Sequence, residues 1–301
     1  MSLTLHANQR LLQSHGRYDH SSRVASPGAT WPGGKRLAVY IAVGIEEYDF
    51  GSGRTEDLMP GVAAPDLVNA SWRDYGNRVG ATRLMQRVAS FGIPPTVLLN
   101  TALYEAAPHV IAAARALGAE LIGHGVSNSD SLQGMDAQTE QAYLLRVRDR
   151  IAEQEGAAPL GWSSPWLTHT ANTLDLLGAC GYRYVMDLRL DDRPVWLTTA
   201  AAPLLAMPYA LELNDSTSIV GRQMAASEFA DCVIDEFDEL LDAAKEAPLV
   251  MSVVLHSFIS GAPFRLRQIS RALAHMQART DAVWFTQPRA IYRAVTEASA
   301  P

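Results

Sequence analysis

The chain alternates short apolar runs with longer amphipathic segments over most of its length. The first run, residues 37–45, is almost wholly apolar and rich in β-branched side chains, a pattern typical of a strand buried on both faces of a parallel sheet. Similar runs predict further strands at residues 95–99, 119–122, 159–162, 182–186, 203–207, 248–255 and 282–285. Between these runs, apolar residues at helical spacing predict helices over residues 81–90, 103–117, 136–155, 170–179, 227–245, 263–279 and from 288 onward.

Two regions depart from this alternation. Residues 1–35 are polar and punctuated by proline and glycine, which predicts an N-terminal arm outside the core. Residues 48–77 are also rich in glycine and proline and predict a long loop, and loops of that length are commonly lids or binding loops. Asp136 and Ser227 stand where two predicted helices begin, and both are predicted N-caps.

The order of the elements predicts the fold class. Alternating strands and helices form a parallel sheet covered by helices, and seven or eight such units in about 260 residues favour a closed or nearly closed barrel over two nucleotide-binding halves. The glycine-rich fingerprints of dinucleotide and P-loop nucleotide sites are absent from the sequence, as is the Gly-x-Ser-x-Gly elbow of serine hydrolases. We therefore predict a single α/β barrel domain over residues 36–301, preceded by the arm.

Composition removes several classes of partner. The chain has 301 residues, a net charge of −7 and no basic cluster, so nucleic acid is not an expected partner. Its two cysteines do not form a Cys-x-x-Cys pair, so neither a disulfide scaffold nor a thiolate zinc site is expected. No apolar run approaches the ~20 residues that span a bilayer. We expect a cytoplasmic protein that acts on a small molecule, and scattered Leu, Tyr and Trp in the arm predict a homo-oligomer.

Polar side chains follow most of the predicted strands at the point where each strand ends. In a parallel α/β barrel these positions share one rim, where active sites are built. Taken singly, an acidic pair is commonly a solvated loop, a lone histidine a packing residue, and Ser-Pro-Trp a turn. Their coincidence at one rim favours an active site instead. The residues concerned are Glu46, Glu47, Asn100, Thr101, His124, Ser163, Ser164, Pro165, Trp166, Asp187 and His256.

These short motifs, in this order, resemble the polysaccharide deacetylase-like family (carbohydrate esterase family 4), and most closely its branch of metal-independent allantoinases and proteins assigned to urate catabolism. The resemblance covers roughly residues 36–295 and implies a distorted (β/α)7-type barrel. The matching segments are the paired acid Glu46-Glu47, the branch's Tyr-Gly-x-Arg-x-Gly signature at 74–80, the His-Ser/Thr-x-x-His motif at 124–128, the Arg-x-Pro-Tyr-Gly motif at 163–167, the Asp-rich stretch at 187–196, and Leu255-His256.

The sequence also departs from the family pattern. Family deacetylases hold a divalent metal with the second acid and two histidines, which would correspond here to Glu47, His124 and Asn128. Because Asn128 stands where the second histidine is expected, the resemblance implies either no metal or a weakly held Zn, Co or Ni ion. Ser163 replaces the arginine that pairs with the catalytic acid in the family.

The combined interpretation is a hydrolase of a non-peptide carbon–nitrogen bond in a small amide, ureide or cyclic imide. Glu46 is the expected general base on water, and His256 is the expected acid on the leaving nitrogen. His124 with Glu47, or a metal held weakly by the two, is expected to stabilise the oxyanion. The expected substrate-binding residues are Glu47, Arg78, Ser164, Trp166, Asp187 and Trp196. Arg78 is equally well explained as an ion-pair partner of Glu46 or Glu47.

Two alternatives remain open at this level. The first is a metal-dependent deacetylase of polysaccharides or N-acetyl sugars, in which Asp130 or a water replaces the missing histidine ligand. The second is a catalytically inactive, ligand-binding relative. The retention of both acids together with His124 and His256 favours an enzyme, because a decayed site would lose acids as readily as histidines.

Overall fold

The computed structural model describes residues 15–19 and 29–298. Within these residues nine strands form one sheet. The strands are β1 Leu37–Ile45, β2 Thr96–Leu99, β3 Glu120–Gly123, β4 Gly161–Trp162, β5 Tyr184–Val185, β6 Val195–Leu197, β7 Leu204–Ala206, β8 Leu249–His256 and β9 Val283–Phe285. The helices are α1 Leu67–Tyr75, α2 Ala81–Ser90, α3 Leu103–Ala106, α4 Pro108–Ala116, α5 Ala137–Glu155, α6 Thr173–Ala179, α7 Ala226–Ala243, α8 Pro263–Gln277 and α9 Pro288–Ala298.

The sheet is a curled, incompletely closed barrel with the strand order β6-β7-β5-β4-β3-β2-β1-β8. All neighbouring strands are parallel except β6 and β7, and β9 pairs with the first residues of β1. A single parallel bridge between Asn214 and Val254 crosses the gap between the chain that follows β7 and strand β8. The predicted α/β barrel of one domain is therefore confirmed, as a half-barrel rather than a closed ring.

The two longest strands, β1 and β8, lie side by side and are buried along their whole length. Strands of this kind consist of apolar and β-branched residues because both faces of a parallel sheet are covered. Tyr40 of β1 donates a hydrogen bond to the carbonyl of Pro208 at 2.6 Å, which ties the centre of the sheet to the chain that closes the gap. The carboxyl ends of β1 and β8 are thereby fixed next to each other.

The predicted loop over residues 48–77 is shorter in the structure, because α1 begins at Leu67. Asp66 caps this helix by accepting a hydrogen bond from the Asn69 amide nitrogen at 2.9 Å. The helix runs through one π turn, Gly76–Gly80, directly into α2. A Cβ on Gly80 would lie 2.1 Å from the Ser257 carbonyl oxygen, so this glycine permits the helix to pack against the backbone that follows β8.

Other predicted boundaries also need correction. The helix predicted over 103–117 is two helices, because Pro108 begins the second one. Helix α7 begins at Ala226 with Ala225 as its N-cap, so the predicted cap at Ser227 is wrong, whereas the cap at Asp136 is confirmed. Strand β6 carries no clear sequence pattern and was not predicted.

Part of the predicted arm packs on the domain. Arg17 pairs with Asp175 of α6 at 2.6 Å, and the buried Trp31 donates to the Leu249 carbonyl at 2.8 Å. The rest of the arm, residues 1–14 and 20–28, lies outside the described residues, as do the arm contacts expected to form an oligomer. In the part of the chain that is described, no helix is long and apolar enough to cross a membrane.

Candidate active site

Three predicted site residues meet at the carboxyl ends of their strands. Glu46 follows β1, His124 follows β3, and His256 ends β8. The Oε1 atom of Glu46 lies 3.3 Å from Nε2 of His256 and 3.6 Å from Nε2 of His124. A buried carboxylate is thus held between two imidazoles, each supplied by a different strand of one parallel sheet.

Electrostatics keep this pair charged although it is buried. Burial raises the pKa of Glu46, but the two neighbouring imidazoles outweigh burial and leave that pKa below its usual value. Burial lowers the pKa of His256, whereas the carboxylates of Glu46 and Asp215 raise it, and the net effect is a pKa well above the usual value for histidine. The result is a carboxylate beside an imidazolium, which is a proton acceptor beside a proton donor.

Asp215 is a site residue that the sequence did not indicate. Its Oδ1 lies 2.6 Å from Nδ1 of His256, and its two oxygens also accept from the backbone nitrogen of His256 at 3.0 and 2.9 Å. Ser260 donates a further hydrogen bond to Oδ2. Asp215 follows no predicted strand, and the bridge of its neighbour Asn214 to β8 helps to bring it here. This fully buried carboxylate orients His256 and stabilises its charge.

His124 is oriented from the opposite side. Its Nδ1 lies 2.8 Å from the backbone carbonyl oxygen of Ser163, and because a carbonyl can only accept, Nδ1 carries the proton. The Nε2 atom is then directed at Glu46. Ser163 therefore contributes through its backbone at the position where the family resemblance places an arginine.

Ser164, Trp166 and Asp187 build the loop next to His124. Asp187 accepts a hydrogen bond from the Ser164 amide nitrogen at 2.8 Å and contacts Nε2 of His169 at 2.7 Å. Trp166 has a left-handed backbone with φ of 58° and donates to the Asn128 carbonyl at 2.6 Å. Asp187 is buried and fully engaged within the protein, so the structure places it in a supporting position rather than at a free surface.

The segment between β1 and α1 reaches the same site. Tyr48 donates a hydrogen bond to Oε2 of Glu46 at 2.6 Å, and the guanidinium of Arg73 lies 5.1 Å from the centre of its ring. Burial raises the pKa of Glu56 to about 7, and Ser216, the neighbour of Asp215, donates to its carboxylate at 2.7 Å. The sequence marked this segment as a functional loop but indicated neither Tyr48 nor Glu56, because neither follows directly from a strand end.

The structure does not bring every predicted residue to Glu46. The carboxylate of Glu47 is half-buried and accepts from Nδ2 of Asn77 at 2.9 Å, and burial raises the pKa of Glu47. Arg78 is exposed beside Asp74 and Tyr75 and forms no ion pair with either acid of the pair within the described residues.

Trp196 lies at the other end of the sheet. Its ring is 6.3 Å from that of Tyr292 on α9, and Tyr292 is in turn 5.9 Å from Tyr184, whose hydroxyl donates to Glu120 where β3 begins. These contacts place Trp196 among packing residues at the amino ends of the strands. The predicted substrate role of Trp196 has no geometric support, because substrates of parallel barrels bind at the carboxyl ends.

The residues implied as metal ligands do not assemble as a set. The carboxylate of Glu47 is engaged by an asparagine amide, and the side chain of Asn128 donates to Tyr48 at 2.8 Å. Nε2 of His124 faces Glu46 rather than Glu47. Across residues 15–19 and 29–298, no three His, Cys, Asp or Glu side chains are grouped so that they could hold a metal ion. An amide oxygen is also a weaker ligand than imidazole for zinc, so this donor set does not fit the metal.

Asp130, the alternative ligand, is also engaged elsewhere. Its Oδ2 accepts from the Tyr143 hydroxyl at 2.7 Å and from the Ser127 amide nitrogen at 3.2 Å. These contacts give Asp130 a structural role in the turn after His124.

Several known proteins resemble this chain in sequence and in fold. No protein-family model matches the chain. The chain is 27% identical over 290 residues to a Schizosaccharomyces pombe protein named for polysaccharide deacetylase activity, and the match covers 84% of this chain and 88% of that protein. Among solved structures, Puue allantoinase is 28% identical with a TM-score of 0.78, over 89% of this chain and 92% of that one.

A second solved structure belongs to a Pseudomonas aeruginosa protein described as a probable polysaccharide deacetylase. It is 28% identical with a TM-score of 0.77, and the match covers 89% of this chain and 93% of that one. The likeness therefore extends over nearly the whole length of all three proteins, in sequence and in fold. The chain is therefore similar, in sequence and in fold, to proteins named as polysaccharide deacetylases and to an allantoinase.

Proposed function

We propose that the protein hydrolyses a non-peptide carbon–nitrogen bond in a small amide, ureide or cyclic imide. The observation that carries this proposal is the contact of Glu46 with His256 at 3.3 Å and with His124 at 3.6 Å. Deacetylases and allantoinases, the activities named for the similar proteins, both break bonds of this class. An acid and a base in contact suit amide hydrolysis, because the nitrogen leaves poorly unless it is protonated.

The proposed reaction uses the two charged groups in turn. Glu46 takes a proton from water as the oxygen attacks the carbonyl carbon. His256 then gives its Nε2 proton to the nitrogen as the carbon–nitrogen bond breaks. The proton on Glu46 passes back to His256 across their direct contact, which restores both groups. Asp215 holds the imidazolium in place throughout.

His124 is the proposed donor to the oxyanion. The proton on its Nδ1 is already committed to the Ser163 carbonyl, so Nε2 can donate to a substrate oxygen only when it carries a second proton. A donor fixed by its second nitrogen needs little reorganisation during the reaction, which is the condition for effective stabilisation of developing charge. Glu47, held by Asn77, lines the same end of the sheet as a proposed substrate-binding residue.

A substrate panel tests the proposal. Purified protein is assayed with allantoin, succinimide, formamide and N-acetylglucosamine, and product release is followed by chromatography. We expect turnover of at least one ureide or imide, and at least ~100-fold slower turnover in Glu46→Gln, since the amide cannot accept the proton. The matched control is Glu47→Gln, which we expect to alter KM more than kcat. Undiminished turnover in Glu46→Gln would refute the assignment of the base.

Chelation separates this proposal from the metal-dependent alternative. The donor set around His124 does not fit a divalent metal, so we expect activity to survive dialysis against EDTA within about twofold. Elemental analysis of the same sample is the parallel measurement. Stoichiometric zinc, cobalt or nickel, together with loss of activity on chelation, would favour the metal-dependent deacetylase.

Self-association remains a prediction. The segment from residue 50 to residue 68 exposes several large apolar side chains, which supports it because such patches commonly mark interfaces. Light scattering coupled to size-exclusion chromatography measures the mass directly, and a mass of one chain would contradict the prediction. The apolar side chains are Phe50, Leu58, Met59, Val62, Leu67 and Val68.

A further inference from the structure

Asn128 has one polar atom without a partner in an otherwise complete set of hydrogen bonds. The residue is only 4% exposed. Its backbone nitrogen donates to the Glu47 carbonyl at 2.7 Å, its backbone oxygen accepts from Trp166 at 2.6 Å, and its Nδ2 donates to Tyr48 at 2.8 Å. Its Oδ1 is buried and has no hydrogen-bond partner. Buried carbonyl oxygens without a donor are uncommon in native proteins, so this one requires an explanation.

The direction of neighbouring hydrogen bonds determines which atom of the amide is free. An ionised carboxylate such as that of Glu46 can only accept, so Tyr48 must give its single proton to Glu46. The oxygen of Tyr48 can then only accept from Asn128, and only Nδ2 of Asn128 can donate. Asn128 therefore donates to Tyr48, and Tyr48 donates to Glu46. This arrangement leaves Oδ1 of Asn128 without a partner.

Two donors on the residues that bond to the Asn128 backbone are already used. The indole nitrogen of Trp166 is bound to the backbone oxygen of Asn128, and the amide nitrogen of Glu47 is bound to Oδ1 of Asn100 at 2.9 Å. Among residues 15–19 and 29–298 no donor pairs with Oδ1, which leaves this atom for the donor of a bound molecule. The Tyr48 hydroxyl bridges Asn128 and the proposed base Glu46, so Asn128 is part of the same hydrogen-bonded group as the base.

We propose that Oδ1 of Asn128 is a specificity site that accepts a hydrogen bond from an N–H group of the substrate. The site selects amides, ureides and imides that carry an N–H over esters and over N-alkylated analogues. This inference rests on the proposed function, because it assumes that the molecule attacked near Glu46 is an amide. A buried acceptor discriminates strongly here, since an analogue without the proton leaves the acceptor unpaired.

Direct binding tests the inference without requiring turnover. Isothermal titration calorimetry compares succinimide with N-methylsuccinimide, and hydantoin with 3-methylhydantoin, on the wild-type chain and on Asn128→Ala. We expect the wild type to bind at least one N–H probe about 10-fold more tightly than its methylated partner, as the loss of a hydrogen bond to a buried acceptor predicts. In Asn128→Ala that ratio should fall to within about twofold of unity.

Two further variants sharpen the result. Asn172→Ala removes an exposed asparagine and should keep the wild-type ratio. Tyr48→Phe keeps the ring but removes the acceptor that orients the Asn128 amide, and we expect it to lower the ratio without abolishing binding.

Equal ratios in the wild type and in Asn128→Ala would overturn the inference, as would failure of all four probes to bind. Loss of the proposed function is distinguished by the turnover assay. A chain that hydrolyses none of the panel but still discriminates the N–H probes through Asn128 contradicts the hydrolase and retains the binding site.

Discussion

The two ends of the sheet each bury one glutamate, and the two carboxylates behave in opposite ways. Glu46 at the carboxyl end and Glu120 at the amino end are both 3% exposed, and each accepts a hydrogen bond from a tyrosine hydroxyl, Tyr48 and Tyr184 respectively. Burial raises the pKa of Glu120 to about 7, whereas the pKa of Glu46 lies below its usual value. Burial and a tyrosine partner are common to both, so neither explains the difference.

The difference comes from the remaining neighbours. Glu46 contacts two imidazoles, one of which Asp215 keeps charged. Glu120 instead accepts from the backbone nitrogen of Arg289 at 3.0 Å, in the first turn of α9, which is a weaker source of positive charge. A buried acid thus stays ionised only where nearby positive charge outweighs the effect of burial.

A substitution of Asp215, which contacts His256 at the carboxyl end of the sheet, should have the largest effect on activity. Asp215→Asn keeps the shape of the side chain but removes the charge that stabilises the imidazolium. We expect kcat to fall by about 100-fold or more while KM changes little, because the donor to the leaving nitrogen is lost. Steady-state kinetics on a substrate identified by the panel measure both constants. A change in KM alone would indicate a binding role for Asp215 and contradict the assignment.

The pH dependence of stability tests the amino end of the sheet, where Glu120 lies. The pKa of Glu120 is raised from 4.5 in the unfolded chain to about 7 in the folded one, so the folded state holds the proton more tightly. The stabilisation is fully present below pH 4.5 and is lost as pH rises to 7, and its magnitude is roughly 3 kcal/mol. Urea unfolding of wild type and Glu120→Gln from pH 5 to 8 measures this. The wild type should lose stability relative to the variant as pH rises, and parallel curves would contradict the prediction.

Substitutions of Tyr48 and Tyr184 compare the two ends of the sheet directly and have the smallest expected effects. Tyr48→Phe should lower kcat by about 10-fold, because Glu46 loses the donor that orients it, and should change stability little. Tyr184→Phe should leave kcat unchanged and reduce the free energy of unfolding by about 1 kcal/mol, the typical net value of a hydrogen bond. Activity assays and urea unfolding give kcat and the free energy of unfolding for each variant. Similar effects on activity from both would show that the two ends are not functionally distinct.

The strand pattern predicted the fold because local hydrophobicity and the parallel topology agree. Runs buried on both faces, such as Leu37–Ile45 and Leu249–His256, can pack only inside a helix-covered sheet, and their ends then share one rim. Glu46, His124 and His256 were found for that reason. Strand β6 and the start of α1 were missed, because a short antiparallel edge and a helix inside a glycine-rich segment lack a clear period.

Residues that reach the site through the path of the chain could not be predicted in this way. Asp215 lies beside His256 only because residues after β7 cross to β8, and Tyr48 turns back onto Glu46 from a loop. Trp196 is the opposite case, a predicted site residue that lies away from the site. Its motif matched the family, but its side chain packs at the amino end of the sheet.

The sequence by itself determined the α/β class, the rim that carries the chemistry and three of its side chains, because hydrophobic period and strand ends are local properties. Only the tertiary structure decided which charges meet. The pairing of Asp215 with His256, the free oxygen of Asn128 and the contrast between Glu46 and Glu120 all depend on contacts between segments distant in the chain. Protonation depends on the groups within a few ångströms of an acid, and those neighbours exist only after folding.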